Sequence, residues 1–256
     1  MKVVILAGGR GSRLAEETSV RPKPLIEIGD KPIIWHIMSI YAHFGFKDFI
    51  VCAGYKGYQI KEYFANLVLH HSDVTFDLAT NEVHYHHSTK PDWRVSVIDT
   101  GIDTETGGRL KRIGRYLTPG EPFCMTYGDG VGDVDVAAEV AFHRRHGLAA
   151  TMCAVSPPGR FGSALIEDHR VSAFVEKPAG DQHVNGGFFV LQPEVLDLIA
   201  GDETVWEREP LEVLTARGQL AAFRHHGFWR PMDTLRERIQ LEEMWANGRA
   251  PWKVWA

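Results

Sequence analysis

Short, wholly apolar runs alternate with amphipathic stretches through the first half of the chain. Val3-Val4-Ile5-Leu6-Ala7 is such a run, the pattern of a strand buried on both faces of a mainly parallel sheet. Gly8 and Gly9 end it. Pro32 occupies a first-turn position for a helix reaching about Phe44, with Ile33, Ile37 and Ile40 along one stripe. Phe49 to Ala53 reads as a second strand, and Tyr58 to about Leu69 as a second helix. Val95 to Asp99 and Pro122 to Tyr127 read as further strands, separated by a helical pattern around Leu110 to Leu117. Strand and helix alternate, so the first ~150 residues are expected to be α/β with a parallel sheet.

The texture changes near residue 149. Short β-like pieces follow at 149–155, 163–166, 172–176, 187–191 and 220–223, with helical signals at 194–199, 210–217 and 234–245. No linker rich in Gly, Pro or Ser and no internal repeat interrupts the chain. A single domain over 1–256 is expected, with an N-terminal part of about 1–150 and a C-terminal part of about 151–256. His70 to Trp93 is polar and rich in histidine. It reads as an excursion from the sheet, a flap or an oligomer contact.

Composition narrows the class. Of 256 residues, 44% are hydrophobic and 24% charged, which predicts a packed core rather than disorder. The formal charge of −5 argues against a nucleic-acid groove. Cys52, Cys124 and Cys153 lie far apart with no paired spacing, which argues against a disulfide framework or structural zinc and fits a reducing cytoplasm. Glycines by residue 8 come too early for a signal peptide, and no apolar stretch approaches the ~20 residues that span a bilayer. No membrane or nucleic-acid partner is expected.

The strongest local chemistry is Leu6-Ala7-Gly8-Gly9-Arg10-Gly11-Ser12-Arg13-Leu14, followed by Arg21-Pro22-Lys23-Pro24-Leu25. A buried strand running into a glycine loop turns backbone N–H groups toward a ligand with no Cβ in the way. Arg13 and Lys23, the latter expected on an exposed loop, add charge, and polyphosphate is the anion this design suits. A dinucleotide fingerprint would need glycine where Leu14 stands, and a P-loop needs a Gly-Lys pair that the chain lacks. Further on, Tyr127-Gly128-Asp129-Gly130 sets a carboxylate just after a strand, at the edge where open α/β sheets bind ligands. Asp129 suits Mg²⁺, which takes one or two carboxylates with phosphate oxygens and water; an Asx-turn between glycines is the bland alternative.

The LAGG-x-G-[ST]-R-L and K-P-K-P arrangement resembles the sugar nucleotidyltransferases, which join a nucleoside triphosphate to a sugar 1-phosphate. Asp99-Thr100-Gly101, Thr106-Gly107-Gly108-Arg109-Leu110, Tyr127-Gly128-Asp129-Gly130, Pro157 to Gly162, Asn185-Gly186-Gly187-Phe188-Phe189 and Trp229-Arg230-Pro231-Met232-Asp233-Thr234 resemble the glucose-1-phosphate cytidylyltransferase family more narrowly. Arg10 and Ser12 are departures at tolerant positions. The resemblance implies a Rossmann-like three-layer α/β sandwich with a mixed, mainly parallel sheet. It implies CTP and glucose 1-phosphate as substrates, CDP-glucose and pyrophosphate as products, a role in bacterial surface polysaccharide synthesis, Mg²⁺ as cofactor, and a homo-oligomer, a hexamer in that family.

Residue by residue, the resemblance implies that Leu6, Ala7, Gly8, Gly9, Arg10, Gly11, Ser12, Arg13, Lys23, Thr104, Arg109 and Gly128 hold the nucleotide. Arg13 and Lys23 carry the catalytic charge. It pairs Asp233 with Asp129 on the metal, although Asp233 also reads locally as a helix N-cap ahead of Leu235. It moves Glu176, Lys177 and Asn185 into a sugar-phosphate pocket, where Glu-Lys-Pro by itself reads as a surface turn. Arg109, with Thr104 beside it, is expected to donate to N3 or O2 of cytosine. The same reaction with UTP, dTTP or another hexose phosphate stays open, as does a non-catalytic binding subunit. His84-Tyr85-His86-His87 lacks the partners for zinc. His143 and His146 read as surface, His225-His226 shows no pairing logic, and Trp245, Trp252 and Trp255 read as packing or a subunit contact.

Overall fold

Successive side chains of the strand Lys2–Ala7 point to opposite faces, and both faces are covered. Val3, Ile5 and Ala7 join an apolar layer with Ile33, Ile37 and Ile40 of the helix Ile33–His43 and with Trp252 near the C-terminus. Val4 and Leu6 join a second layer with Leu110, Ile113 and Trp206. Burial on both sides leaves no polar alternation, which is why this strand reads as one apolar run.

The computed structural model describes residues 1–156, 163–167, 170–175 and 183–255. Seven strands form one sheet in the order Leu220–His225, Ala150–Val155, Val184–Leu191, Phe123–Tyr127, Lys2–Ala7, Asp48–Ala53, Arg94–Asp99. Val184–Leu191 runs antiparallel to both of its neighbours, and every other adjacent pair is parallel. Helices cover both faces, so the expected three-layer α/β architecture with a mixed, mainly parallel sheet is what forms. The N-terminal and C-terminal parts both contribute strands to it.

Strand order reverses around Lys2–Ala7. The chain next lays Asp48–Ala53 and Arg94–Asp99 on one side of it, then Phe123–Tyr127 on the other. At such a switch point the loops leaving the carboxyl ends diverge and open a crevice. Here those loops begin at Gly8 and Gly128.

Differences from the pattern reading have local causes. The helix expected from Tyr58 to Leu69 breaks at Asn66 into Gly57–Ala65 and Leu67–His70. The polar excursion is a two-stranded ribbon, Ser72–Asp77 against Glu82–Ser88. Register places Val74, Phe76, Val83 and Tyr85 on one face, and Phe76, Val83 and Tyr85 are exposed. His84 and His86 lie on the other face, and no group of three metal-ligating side chains occurs among the described residues.

The surface reading of His143 is corrected: it is fully buried. Gln192 donates to its Nε2 at 3.1 Å, and its Nδ1 lies 2.9 Å from the Thr151 hydroxyl, which pins the helix Val136–His146 to the sheet. His225 also has a partner, Asp133 at 3.0 Å. The C-terminal tryptophans are packing: Trp252 is fully buried and its ring stacks with Trp245.

Glu139, on the same helix as His143, is buried and its Oε1 has no hydrogen-bond partner among the described residues. Burial pushes its carboxyl up to about 8. The folded form therefore keeps a proton that the unfolded chain releases near its ordinary carboxylate value, so stability is full below that value and falls as pH rises toward 8. Glu139→Gln removes the ionisable group. Its melting temperature should exceed that of the wild type at pH 8, with the gap closing toward pH 5 in a thermal-unfolding series. A gap independent of pH would contradict the buried, protonated carboxyl.

Candidate active site

Four strand ends meet beneath the crevice, and one buried cation joins three of them. Arg109, on the helix Thr106–Ile113, is 4% exposed. Its Nη1 donates to the Thr100 hydroxyl at 2.8 Å and the Gly101 carbonyl at 2.7 Å, and its Nη2 donates to the Gly8 carbonyl at 3.1 Å. The Ala53 and Ile102 carbonyls lie at 3.4 Å from Nη1 and Nη2 respectively. Burial pulls the Arg109 pKa down, yet an arginine stays protonated in any protein setting. The guanidinium lies flat against Gly8, where an added Cβ would stand 2.0 Å from Nη1. Gly54 is closed in the same way, its added Cβ being 2.5 Å from Nη1. These two glycines therefore make room for an arginine from below, a need the sequence did not reveal.

Above Arg109, residues 8–14 form the expected glycine loop. No hydrogen bond within the described residues takes the amide N–H groups of Gly9, Arg10 or Gly11. Gly9 has open space around it, and Gly11 adopts a left-handed φ of 64°. Unused amides at the mouth of a cleft are a ready anion site. Arg10 is drawn outward to an exposed ion pair with Asp103 at 2.8 Å.

The charged centre lies alongside. Lys23 Nζ is 2.6 Å from both Asp129 Oδ2 and Asp233 Oδ1, and Arg13 Nη1 is 2.8 Å from Asp233 Oδ2. The expectation of an exposed Lys23 is corrected, because its side chain is 12% exposed. Burial works to lower the Lys23 pKa, but the charges and hydrogen bonds of Asp129 and Asp233 outweigh it and the net shift is upward. The two aspartates are far apart in sequence. A short antiparallel pair, Gly130–Gly132 with Trp229–Pro231, brings them together, and the Met232 N–H donates to the Asp129 carbonyl at 2.7 Å.

Asp233 is not the helix cap. Thr234 caps the helix Leu235–Ala246, in a capping box with Glu237, and the Asp233 backbone N–H donates to Glu237 at 2.9 Å. The Asp233 carboxylate is thus turned to Lys23 and Arg13. Two carboxylates that already flank one cation have the donor set and spacing for a divalent metal.

Leu6, Ala7, Gly8, Gly9, Gly11, Ser12, Arg13, Lys23, Thr104, Arg109, Gly128, Asp129 and Asp233 all line one cavity of about 290 Å³. Arg10 is the member of the nucleotide set that stands outside it. Asn185 is not one of the described residues lining it, but its Nδ2 donates at 3.2 Å to the hydroxyl of Tyr127, which is. Glu176, Lys177 and the Pro157 to Gly162 motif fall outside the described residues. Four lining residues had no role in the sequence reading: Glu105 went unnoticed, whereas Pro24, Thr106 and Tyr127 stood in the quoted motifs. Tyr127 was visible as a strand end, but nothing in the sequence tied it to Thr106.

The fit between Gly8 and Arg109 is open to test. Gly8→Ala should drive the guanidinium from its carbonyls and destabilise the fold by about 2 kcal/mol or more. Gly9→Ala, whose methyl meets nothing within 4 Å, should melt within a degree or two of the wild type. Equal melting temperatures for the two variants would count against the clamp.

The comparisons with known proteins agree with this geometry. A family model described as Nucleotidyl transferase matches residues 2–229. Glucose-1-phosphate cytidylyltransferase of Salmonella typhi is 57% identical over 256 residues, covering all of both chains. Its counterpart in Salmonella typhimurium shows the same identity and coverage. Among solved structures, HddC from Yersinia pseudotuberculosis superposes with a TM-score of 0.71 at 22% identity, over 95% of this chain and 99% of that one, which speaks for the fold alone. With a glycine loop, a cation pair and two convergent carboxylates in one crevice, the chain belongs to the nucleotidyl transferase family and, within it, to the glucose-1-phosphate cytidylyltransferases.

Proposed function

We propose that this chain transfers the cytidylyl group of CTP to α-D-glucose 1-phosphate, releasing pyrophosphate and CDP-glucose. The observation that carries the reaction type is the convergence of Arg13, Lys23, Asp129 and Asp233 at the edge of a loop with unused amides. Full-length identity to the Salmonella relatives carries the choice of nucleotide and sugar.

In this reading a phosphate oxygen of the sugar phosphate attacks the α-phosphorus of CTP and pyrophosphate leaves. No general base is needed, since a phosphate monoester with a second pKa of ~6 is mostly dianionic at neutral pH. Catalysis is positioning and charge neutralisation. The amides of Gly9 to Gly11 and the Arg13 guanidinium hold the departing phosphates, and Lys23 neutralises charge where the two substrates meet. Asp129 and Asp233 would hold Mg²⁺, which when bound supplies further positive charge to the nucleotide phosphates. The sugar phosphate is assigned to Asn185, with Glu176 and Lys177.

Base reading narrows once the guanidinium is placed. All four Nη hydrogens of Arg109 face oxygens of the protein, which leaves Nε–H as the one donor of that side chain without a partner among the described residues. The reading therefore gives cytosine N3 or O2 to Nε–H, helped by Thr104 and the backbone of Leu6 to Gly9. Its larger task is to hold the loops.

The homo-oligomer remains part of this proposal, supported by the exposed apolar face of the ribbon around Phe76 and Tyr85. A cytoplasmic setting is supported by three free, buried cysteines. No helix among the described residues is long and apolar enough to cross a membrane.

Pyrophosphate release from glucose 1-phosphate, Mg²⁺ and each nucleoside triphosphate in turn tests the assignment. With Nε–H on N3, CTP should exceed UTP by ~10- to 100-fold in kcat/KM, the cost of facing a buried donor with the uracil N3–H; O2 accepts in both bases and would not discriminate. Equal use of the two would remove base reading from this cavity. Asp233→Asn should lower turnover ~10²-fold or more while melting close to the wild type, since the helix cap belongs to Thr234. Full activity in that variant would remove Asp233 from the chemistry.

A further inference from the structure

Asn185, Tyr127, Glu207 and Thr106 form a chain of hydrogen bonds whose direction is fixed at both ends. The Gly187 backbone N–H can only donate, and it lies 2.8 Å from Asn185 Oδ1. That orients the amide and turns Nδ2 to the Tyr127 hydroxyl. Nδ2 can only donate, so the Tyr127 oxygen accepts and its own proton passes to Glu207 Oε1. At the other end the Trp206 backbone N–H donates to Thr106 Oγ1 at 2.9 Å, so the Thr106 proton goes to Glu207 Oε2 at 2.6 Å. Both ends converge on one half-buried carboxylate, which has no cationic partner among the described residues.

Tyr127 and Thr106 line the cavity, whereas Glu207 stands behind them. We infer that Glu207 is a positioning residue for the hexose: by taking the Tyr127 proton it keeps the Tyr127 oxygen an acceptor and leaves the second Nδ2 hydrogen of Asn185 to meet a sugar hydroxyl. This rests on the reading of Asn185 as part of the sugar-phosphate pocket. Glutamine at 207 has the same shape but breaks the chain at one point. The single glutamine oxygen can accept from Thr106 or from Tyr127 but not from both, and with the oxygen on Thr106 its NH₂ faces Tyr127. The Tyr127 oxygen then meets two donors and its proton has no acceptor, while the contact on the nucleotide side survives.

Initial rates of the purified full-length protein test this, with KM for glucose 1-phosphate and for CTP each measured at saturating partner substrate, and melting temperatures recorded. Glu207→Gln should raise KM for glucose 1-phosphate by ~10-fold and leave KM for CTP within ~2-fold. Tyr127→Phe, which removes only the hydroxyl, should do the same and serves if the first variant does not fold. The double variant should be no worse than the weaker single, because both remove one chain. Asn185→Ala should raise the same KM. If Asn185→Ala leaves KM for glucose 1-phosphate unchanged, the pocket reading fails and the inference falls with it. If Asn185→Ala raises that KM but Glu207→Gln does not, the positioning role alone is overturned. An equal rise in both KM values, or single effects that multiply in the double variant, overturns it in the same way.

Discussion

A buried guanidinium without a carboxylate partner among the described residues governs the geometry of this crevice. Taking a cation out of water is costly unless every donor finds an acceptor. The four Nη hydrogens of Arg109 meet that demand with carbonyls and a hydroxyl from the ends of three strands. The loops after Lys2–Ala7, Asp48–Ala53 and Arg94–Asp99 are therefore fixed relative to one another, and none can shift without stranding a charge. Gly8 and Gly54 follow from this, since a side chain at either would enter the space of the guanidinium. So do Gly107 and Gly108, which let the helix carrying Arg109 pack against the backbone of Asp202 and Thr204 at distances no Cβ allows.

On that rigid floor the charged centre is a balanced cluster rather than a simple basic patch. Two cations and two carboxylates face each other across the end of the sheet. Each aspartate alone would be an ordinary loop residue. Held on one ammonium, with Arg13 beside them, they form a cluster whose net charge is near zero. The raised Lys23 pKa records how far its partners outweigh its burial. A lysine held this way stays charged across the physiological range.

The two walls of the cavity rest on different supports. The wall after Lys2–Ala7 hangs from Arg109 and the glycine loop. The far wall is organised by Glu207, which gathers the Tyr127 and Thr106 hydroxyls and so links the end of one sheet strand to the start of the Arg109 helix. Both supports converge on the helix Thr106–Ile113. Its close packing against residues 202–204 explains how a short, glycine-rich helix holds so much of the site in place.

Sequence alone marked the main strands and the glycine loop and singled out Arg13, Lys23 and Asp129 as candidates, because each of these depends on local pattern. Apolar runs report two-sided burial, and glycines after a strand report a loop that a ligand can approach. Asp233 was ambiguous for a physical reason: a carboxylate just before a helix caps as readily as it binds, and only the Thr234 capping box decides between them. Glu207 gave no local signal, since a glutamate between Trp206 and Arg208 in a polar segment looks like any surface residue. The burial of His143 and the inward turn of Arg109 were equally silent, because both depend on partners that come from other elements. Local chemistry is written residue by residue, whereas which donors meet which acceptors across the sheet is decided only when the strands have been ordered and their loops brought to one end.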